Sequence, residues 1–308
     1  MYIKYISASS LDTYVNVCEF KYFLQKHIRL PELNQQTIYT SKGLAVHETL
    51  EEWVKNDKDY VAKLKKFYAS NKTWKMDNRA PDKGFPHPQL KMCDTCPWAQ
   101  MSGNSKICTI ANEVVDVVDG CPRNNFEDDL KLVELVVNGA KSPLKRKILA
   151  AEMPFTEDLG GFQIHGYIDL ITEIDSDTIE VCDYKTGNFA KNTEKMFKDF
   201  QMRIYSIAAK RKFPQYKFVK MTLYYLRKGP VSVIFDKDDD NKTTAYLATM
   251  YEKIKNNDDP KIMPNFLCKF CVGTDRCKEI RKSYLDKKGK FILPMAVKNE
   301  EEDISEFV

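Results

Sequence analysis

The sequence predicts an α/β domain in which helices flank a mixed central sheet, with a cysteine-rich insertion ahead of the sheet. Three observations lead to this prediction. Hydrophobic residues make up 43% of the 308-residue chain, which is enough to bury a core. Five short runs have the alternation and the flanking turn residues that are typical of strands. Segments with helical spacing precede, divide and follow these runs, an order typical of a layered α/β core.

The helices come first along the chain. Ser9 or Ser10 can cap a helix whose apolar residues recur at helical spacing as far as Tyr22. A second helix begins near Thr40, and because His47 shares its apolar stripe, we expect the imidazole to point into the protein. Further helices are predicted at about 58–69, 127–140, 192–212 and 241–256, and strands at 148–155, 162–174, 178–184, 217–226 and 231–235.

Residues 72–125 differ from the rest of the chain, because they are rich in Pro, Gly, Asn and Cys. Such a segment has too little apolar content to fold by hydrophobic burial alone, which suggests a module stapled by metal. Zinc is the first choice, a second iron–sulfur cluster is an alternative, and unligated thiols in a loop are the third possibility. The cysteines concerned are Cys93, Cys96, Cys108 and Cys121.

Two acidic residues lie on neighbouring predicted strands, Asp169 in GYIDLI and Asp183 in VCDYKTG. Lys185 follows Asp183 by two residues and therefore projects from the same face of its strand. Burying these charges among apolar neighbours is costly unless a cation offsets it, and carboxylates suit Mg²⁺ or Mn²⁺. A nearby lysine can orient the attacking water. The alternative is an ordinary Asp–Lys ion pair at a strand end.

Taken together, the motifs resemble those of the PD-(D/E)XK nuclease superfamily, in its RecB-like branch. The resemblance spans residues 5–285 apart from the insertion and implies a restriction-endonuclease-like core. Its motifs are Gly43-x3-His47, Gly166-x2-Asp169, Asp183-x-Lys185, Gln201-x3-Tyr205 and an N-terminal segment with Ser7, Ser9 and Cys18.

The resemblance also implies roles for individual residues. His47, Asp169, Asp183 and the Tyr184 carbonyl would be metal ligands, and Lys185 would be catalytic. Gln201 and Tyr205, one helical turn apart, would face the site and the DNA. By itself His47 would more often be a core histidine, and Gln201 with Tyr205 a half-exposed pair. Glu152 either assists the site from the first strand or begins a solvated turn.

A second group of cysteines, Cys268-x2-Cys271-x5-Cys277, lies near the end of the chain. Three thiolates leave a four-ligand site open, and Cys18 is the candidate for the fourth. One early and three late cysteines resemble the iron–sulfur CRISPR-associated adaptation exonucleases and AddB-type nuclease domains. This implies a [4Fe-4S] cluster that staples the chain ends, with zinc as the alternative. Cys182 is expected to be an inert core residue.

Basic and aromatic residues are interleaved in and around the predicted helix 192–212, which is compatible with single-stranded DNA or equally with a solvated helix face. They are Lys191, Lys195, Lys198, Arg203, Lys210, Arg211 and Lys212, with Phe189, Phe197 and Tyr205. With the resemblance, this favours a metal-dependent DNA exonuclease of recombination, repair, replication or CRISPR adaptation that acts on single-stranded DNA or DNA ends. The likeness to the CRISPR adaptation exonucleases implies 5′-to-3′ cutting, whereas the residues themselves leave the polarity open. The alternative is a metal-stapled DNA-binding subunit of a recombination or replication complex. An iron–sulfur redox protein is disfavoured because no other redox cofactor motif is present.

Charge and targeting signals complete the prediction. Residues 300–308 hold five acids, and the rest of the chain carries 48 basic against 39 acidic residues, which suits a polyanionic partner. We expect a nuclease domain at 1–290 and a flexible acidic tail at 291–308 that offers a surface for a protein partner. There is no apolar run of about 18 residues and no secretory signal, so we expect a soluble cytoplasmic protein. A phage- or virus-encoded nuclease would carry the same features.

Overall fold

In a computed structural model of the protein, the described residues are 1, 3–30, 38–55, 59–70, 99–102, 105–109, 113–114, 123–140, 142–187, 189–271 and 277–295. Cys93, Cys96 and Cys121 of the predicted insertion lie outside this part of the chain, and Cys108 is described by its backbone alone. Most of the predicted acidic tail also lies outside it. None of the described helices is both long enough and apolar enough to cross a bilayer.

The helices and the strands of the central sheet follow each other in the predicted order, and three short strands at 99–114, within the insertion, were not predicted. The N-terminal region contains α1 (Ala8–Asp12), a π-helical turn (Thr13–Val17), α2 (Glu19–Tyr22) and a second π-helical turn (Phe23–His27). The other helices are α3 (Ile38–Lys55), α4 (Tyr60–Ser70), α5 (Arg123–Asn138), α6 (Thr193–Phe197), α7 (Phe200–Lys212), α8 (Lys237–Lys255) and α9 (Cys277–Lys282). The strands are β1 (Ala99–Ser102), β2 (Ser105–Cys108), β3 (Glu113–Val114), β4 (Lys147–Asp158), β5 (Gln163–Glu173), β6 (Thr178–Lys185), β7 (Phe218–Tyr225) and β8 (Gly229–Ile234).

Two of the predicted helices are divided in the structure. The first is capped by Ser7, whose hydroxyl accepts a hydrogen bond from the Ser10 amide, so the prediction of Ser9 or Ser10 as the cap is wrong. It is also interrupted at Cys18, where the backbone is extended. The helix predicted at 192–212 is two helices, because Asp199 takes extended backbone angles and caps α7.

Five strands form the central sheet in the order β4-β5-β6-β7-β8, and β1 to β3 form a separate antiparallel sheet. All neighbours in the central sheet are antiparallel except β6 and β7, which are parallel. A parallel pair needs a long crossover connection, and here α6 and α7 supply it. The sheet is therefore mixed and the predicted fold class is confirmed.

Apolar side chains cover both faces of this sheet. Val181 belongs to the core cluster that contains Met202 and Ile204 of α7. Cys182, the next residue along β6, belongs to the cluster that contains Val46 of α3 and Val133 of α5. Because successive strand residues point to opposite faces, α7 covers one face and α3 with α5 covers the other. Cys182 is fully buried, as expected of a core residue.

The two ends of the chain pack against each other. The Phe20 amide donates to the Lys261 carbonyl at 3.0 Å, and the Asn265 side-chain amide donates to the Val17 carbonyl at 2.7 Å. The rings of Phe23 and Phe291 meet edge to face with centroids 5.5 Å apart. Residues that are more than 240 positions apart in sequence are thus neighbours in the fold.

The central sheet opens into a fork between β5 and β6. These strands are paired only from Leu170 opposite Cys182 to Glu173 opposite Ile179. Further along, the backbone of β5 is instead bridged by Ile6 of the N-terminal segment, which lies parallel to it beside Ile164. The residues between these two regions of pairing form the floor of an open cleft.

Candidate active site

Asp169 and Asp183 occupy the point where the fork opens. They lie next to the last paired residues of the two strands: Asp169 directly precedes Leu170 of β5, and Asp183 directly follows Cys182 of β6. The Tyr184 amide donates a hydrogen bond of 2.8 Å to Asp169 Oδ2. Where the backbone pairing of β5 and β6 ends, the Asp169 side chain therefore takes the place of a backbone acceptor for β6.

His47 reaches this point from α3, as its position on the apolar stripe predicted. Its Nδ1 lies 3.3 Å from Asp169 Oδ2, and its Nε2 lies 3.0 Å from the Tyr184 carbonyl oxygen. Burial disfavours a charged imidazole, but the carboxylates of Asp169, Asp183 and Glu152 together outweigh this effect and raise the pKa of His47 to about 9. Burial alone would raise the pKa of Asp169, but the charge of His47 lowers it.

Glu152 joins these residues from β4. Ligand atoms of His47, Glu152 and Asp169 all lie within 4.8 Å of one another, an arrangement that could hold a metal ion. Glu152 lies within a strand and not in a solvated turn, and its φ of 45° is in the left-handed region. Burial, followed by repulsion from Asp169, raises the pKa of Glu152 to about 8. Its place in the first strand was a sequence signal, whereas its backbone angle could not be foreseen.

Lys185 is held on the other side of the fork. Its Nζ lies 2.6 Å from Asp183 Oδ2 and donates to Gln201 Oε1 at 3.0 Å. The Gln201 amide nitrogen donates in turn to Asp183 Oδ1 at 2.6 Å and to the Tyr205 hydroxyl at 3.1 Å. Gln201 therefore links the lysine, the aspartate and the tyrosine. These three contacts bring together the residues of two separate sequence motifs.

The surroundings of Asp183 indicate whether a divalent cation fits the site. Only 1% of the residue is exposed, and its Oδ2 accepts no hydrogen bond, although Lys185 Nζ lies 2.6 Å away as its ion-pair partner. Burial raises the pKa of Asp183 to about 6, although the charge of Lys185 opposes the shift. A buried carboxylate oxygen without a hydrogen bond is costly unless a cation is bound. The donor set of carboxylates, an imidazole and a carbonyl suits a divalent metal.

A cavity of about 830 Å³ opens onto these residues. Glu152, Asp169, Lys185, Gln201 and Tyr205 line its floor, whereas His47 and Asp183 are not among its lining residues. Gly166 also lines it, and a Cβ atom there would come within 2.9 Å of the Phe155 ring and 3.3 Å of the Tyr205 ring. The close packing of the Phe155 ring, with Tyr205 as a looser second contact, thus favours glycine at this position.

The basic residues predicted to follow DNA separate into two groups. Lys191, Lys195 and Lys198 line the cavity. In contrast, Arg203, Lys210 and Arg211 bond to the protein itself: to Phe197 and Thr243, to Phe235 and Asp240, and to Asp158, respectively. Phe197 packs on Phe235, while Phe189 is 91% exposed. These two arginines and Lys210 therefore face the protein, and the contact of the basic residues with DNA stays a prediction.

The four cysteines predicted to form the terminal cluster lie near enough to affect one another electrostatically, although their sulfur atoms do not form a group in which all lie within 4.8 Å of one another. Burial raises the pKa of the Cys277 thiol to about 11, and the nearby thiols of Cys18, Cys271 and Cys268 add to the shift. The Met263 amide donates to Cys18 Sγ at 3.4 Å, and the Asn265 amide donates to Cys268 Sγ at the same distance. All four are free of disulfide bonds.

The fold and the site identify the family of the protein. The chain belongs to the PD-(D/E)XK nuclease superfamily, whose model matches residues 5–278. It is thus a nuclease by family, and its acidic site fits the divalent metal that such nucleases use. Among solved structures it is similar to a "Putative exonuclease" from Eubacterium rectale, with a TM-score of 0.48 and 12% identity over 89% of this chain and 88% of that chain. Comparison with curated proteins gave no match.

Proposed function

We propose that the protein is a Mg²⁺- or Mn²⁺-dependent deoxyribonuclease that acts as an exonuclease on single-stranded DNA or on DNA ends, cutting 5′ to 3′. The observation that carries this proposal is the buried Asp183 Oδ2, which has no hydrogen bond and lies beside Lys185. A carboxylate in this state is suited to a cation, and the lysine next to it is suited to hydrolysis at a phosphate.

The residues that would hold the metal are His47, Glu152, Asp169, Asp183 and the carbonyl of Tyr184. When bound, a divalent metal polarises the phosphate and lowers the pKa of a bound water. Lys185 then has two tasks: to orient the attacking water and to stabilise the negative charge that develops on the phosphate. Gln201 keeps the ammonium group in place, since its two amide atoms contact Lys185 and Asp183 at the same time. Such preorganised charge is commonly a large contribution to catalysis.

The cleft supports DNA as the substrate. Lys191, Lys195 and Lys198 contribute positive charge to the lining of the cavity, where phosphates could be neutralised. Lys191 is paired with Asp199 and Lys198 with Glu194, so these lysines would exchange partners when a strand binds. Lys198 and Glu194 are 73% and 75% exposed, so breaking that pair costs little, whereas Asp199, the partner of Lys191, is only 9% exposed.

We propose further that Cys18, Cys268, Cys271 and Cys277 ligate a [4Fe-4S] cluster. The effect of the other three thiols on the pKa of Cys277 supports a common site. Four thiols in one half-buried place are suited to a metal, because ligation removes the cost of placing thiolates together. Cys93, Cys96, Cys108 and Cys121 of the insertion are proposed to bind a second metal, with zinc as the first choice.

The activity can be tested with anaerobically purified protein and end-labelled single- and double-stranded DNA, in the presence of Mg²⁺ or Mn²⁺. Product lengths give the activity and its direction. We expect Asp183→Asn and Lys185→Ala to lose more than about 3 kcal/mol of transition-state stabilisation, a loss of over a hundredfold in rate, with DNA affinity largely intact.

The matched control is Lys217→Ala. Lys217 is also paired with an aspartate, Asp177, but it lies just before β7, at the far end of the parallel β6–β7 pair from Lys185. Its replacement should leave the rate unchanged. If both site variants cut DNA at the parental rate, the active site has been assigned wrongly.

A further inference from the structure

A group of aromatic rings lines the same cavity outside the catalytic residues. Tyr5, His165 and Tyr167 all line it. The ring centroids of Tyr5 and His165 are 4.7 Å apart, and those of His165 and Tyr167 are 5.7 Å apart. All three residues are partly exposed. None of them has a role in holding the metal or in orienting Lys185.

The backbone holds these rings in place. His165 and Tyr167 are two residues apart in a regular part of β5, so they project from the same face of the strand. Tyr5 joins them because the next residue, Ile6, is bridged to β5: its amide donates to Gln163 O at 2.8 Å, and its carbonyl accepts from the His165 amide at 3.0 Å. His165 and Tyr167 thus lie on a strand, and Tyr5 lies next to a residue whose backbone is hydrogen-bonded to that strand.

Another part of the cavity lining is basic, with Lys191, Lys195 and Lys198. Of these, Lys195 has no ion pair within the part of the chain that the structure describes. A cavity with lysines and aromatic rings suits both the phosphate and the base of a nucleotide, because ammonium groups bind phosphates and rings stack on bases. Bases offer free faces to such rings only when they are not stacked in a duplex.

We propose that Tyr5, His165 and Tyr167 form a stacking site for unpaired bases of the DNA strand being cut, and that this site makes the cleft selective for single strands. The inference rests on the proposed function, because it names the substrate class of the same cleft. The stacking site is distinct from the catalytic residues: the rings contribute to DNA binding, and the residues at the fork carry out the hydrolysis.

The test uses the Lys185→Ala protein, which should bind DNA without cutting it. Affinity is measured in Mg²⁺ for three probes: a single-stranded oligonucleotide, the same oligonucleotide with abasic sugars at its bound end, and a duplex. We expect the base-bearing single strand to bind most tightly. Adding Tyr5→Leu or Tyr167→Leu should weaken its binding about five- to a hundredfold while leaving binding of the abasic probe almost unchanged. Tyr167→Phe keeps a ring and should retain the preference.

Phe218→Leu is the matched control, because Phe218 is an aromatic residue, 51% exposed, at the start of β7 and away from the fork. It should change none of the three affinities.

A probe with 2-aminopurine at the bound end gives a readout that needs no substitution in the aromatic group. Its fluorescence should fall on binding, as stacking requires, and an unchanged signal would overturn the proposal.

Three other results would also overturn it: equal losses on the base-bearing and abasic probes, no loss on either, or duplex binding as tight as single-strand binding. Cleavage by the unsubstituted protein is measured in parallel. If that protein cuts no DNA, the proposed function itself has failed. If it cuts DNA and the tyrosine variants keep the parental preference, only the stacking site has failed.

Discussion

Glu152 has an unusual backbone for a strand residue. Among the described residues, the non-glycine residues with a positive φ are Arg29 and Glu152, and Glu152 lies in the central sheet. Its neighbours Ala151 and Met153 pair with Leu170 and Ile168, whereas Glu152 itself has no pairing partner on β5. A left-handed conformation costs an L-residue about 1–2 kcal/mol, and such strain is often found at functional sites. Here it accompanies a carboxylate that lies beside His47 and Asp169.

This geometry predicts that stability and function oppose each other at Glu152. Glycine adopts positive φ without strain, so metal-free Glu152→Gly should be more stable than Glu152→Ala by about 1 kcal/mol. Both variants lose a carboxylate and should need more Mg²⁺ or Mn²⁺ for half-maximal cleavage. Thermal unfolding with a chelator and metal titration of the rate measure the two effects. Equal stability of the two variants would show that the backbone at this position is not strained.

At the scale of elements, the break between α6 and α7 positions Gln201. The Asp199 side chain caps α7 by accepting hydrogen bonds from the amides of Gln201 at 2.8 Å and Met202 at 3.3 Å. It is also paired with Lys191, whose own amide donates to the Tyr225 hydroxyl at 2.9 Å. The first turn of α7 is thereby attached to the segment that follows Lys185. Asp199 is a positioning residue, since it acts on the site through Gln201.

We expect Asp199→Ala to lower both stability and kcat. Loss of an N-cap costs about 1 kcal/mol, and the displaced first turn would no longer hold Gln201 against Lys185. Asp199→Ser restores a capping hydroxyl without the charge and should recover much of both quantities. The control is Asp236→Ala, which removes the cap of α8, where Asp236 accepts from the Asp239 amide at 2.8 Å. That variant should lose similar stability and keep kcat, so a matching loss of kcat would contradict the positioning role.

At the scale of the whole molecule, the proposed cluster would join chain ends that already pack together. Contacts between Phe23, Tyr284 and Phe291 connect the N-terminal region to the segment after α9.

We expect Cys18→Ala to destabilise the protein and to remove its iron and brown colour as completely as Cys271→Ala does, because both would ligate one cluster. Iron analysis, visible absorption and thermal unfolding measure this. Cys182→Ala, a buried control on β6, should keep the colour. Full iron content in the Cys18 variant would rule out the staple.

The insertion is expected to bind one metal independently of the terminal cluster. Closing a local site requires short loops only, so the four cysteines of residues 72–125 need no help from the chain ends. Replacing Cys96 and Cys108 with Ser should remove one equivalent of zinc, or the iron of a second cluster, while the absorption of the terminal cluster remains. Unchanged metal content would mean that the insertion is an ordinary loop. If the metal lost is iron, the insertion is still a metal-binding module, but its metal is not zinc.

Local patterns were sufficient for the fold class and for part of the site. The order of strands and helices, the pairing of Asp183 with Lys185, and the inward direction of His47 all follow from the periodicity of burial along single elements. Side-chain directions repeat every two residues in a strand and every 3.6 residues in a helix, so these features can be recognised within one short segment of sequence. The cysteine spacing near the C-terminus is local in the same sense.

Only the tertiary structure decided which distant residues meet. Three features depend on strand register, which no single segment specifies. They are the fork between β5 and β6, the left-handed backbone of Glu152, and the bridge that brings Tyr5 beside His165. The same holds for the partners of Arg203 and Lys210, which come from α8 and from Phe235, the residue that follows β8. The sequence by itself determined which chemical groups are present and on which elements they lie. Their convergence into one cleft required long-range packing, because the free energy that separates the strands and buries Asp183 comes from contacts across the whole domain.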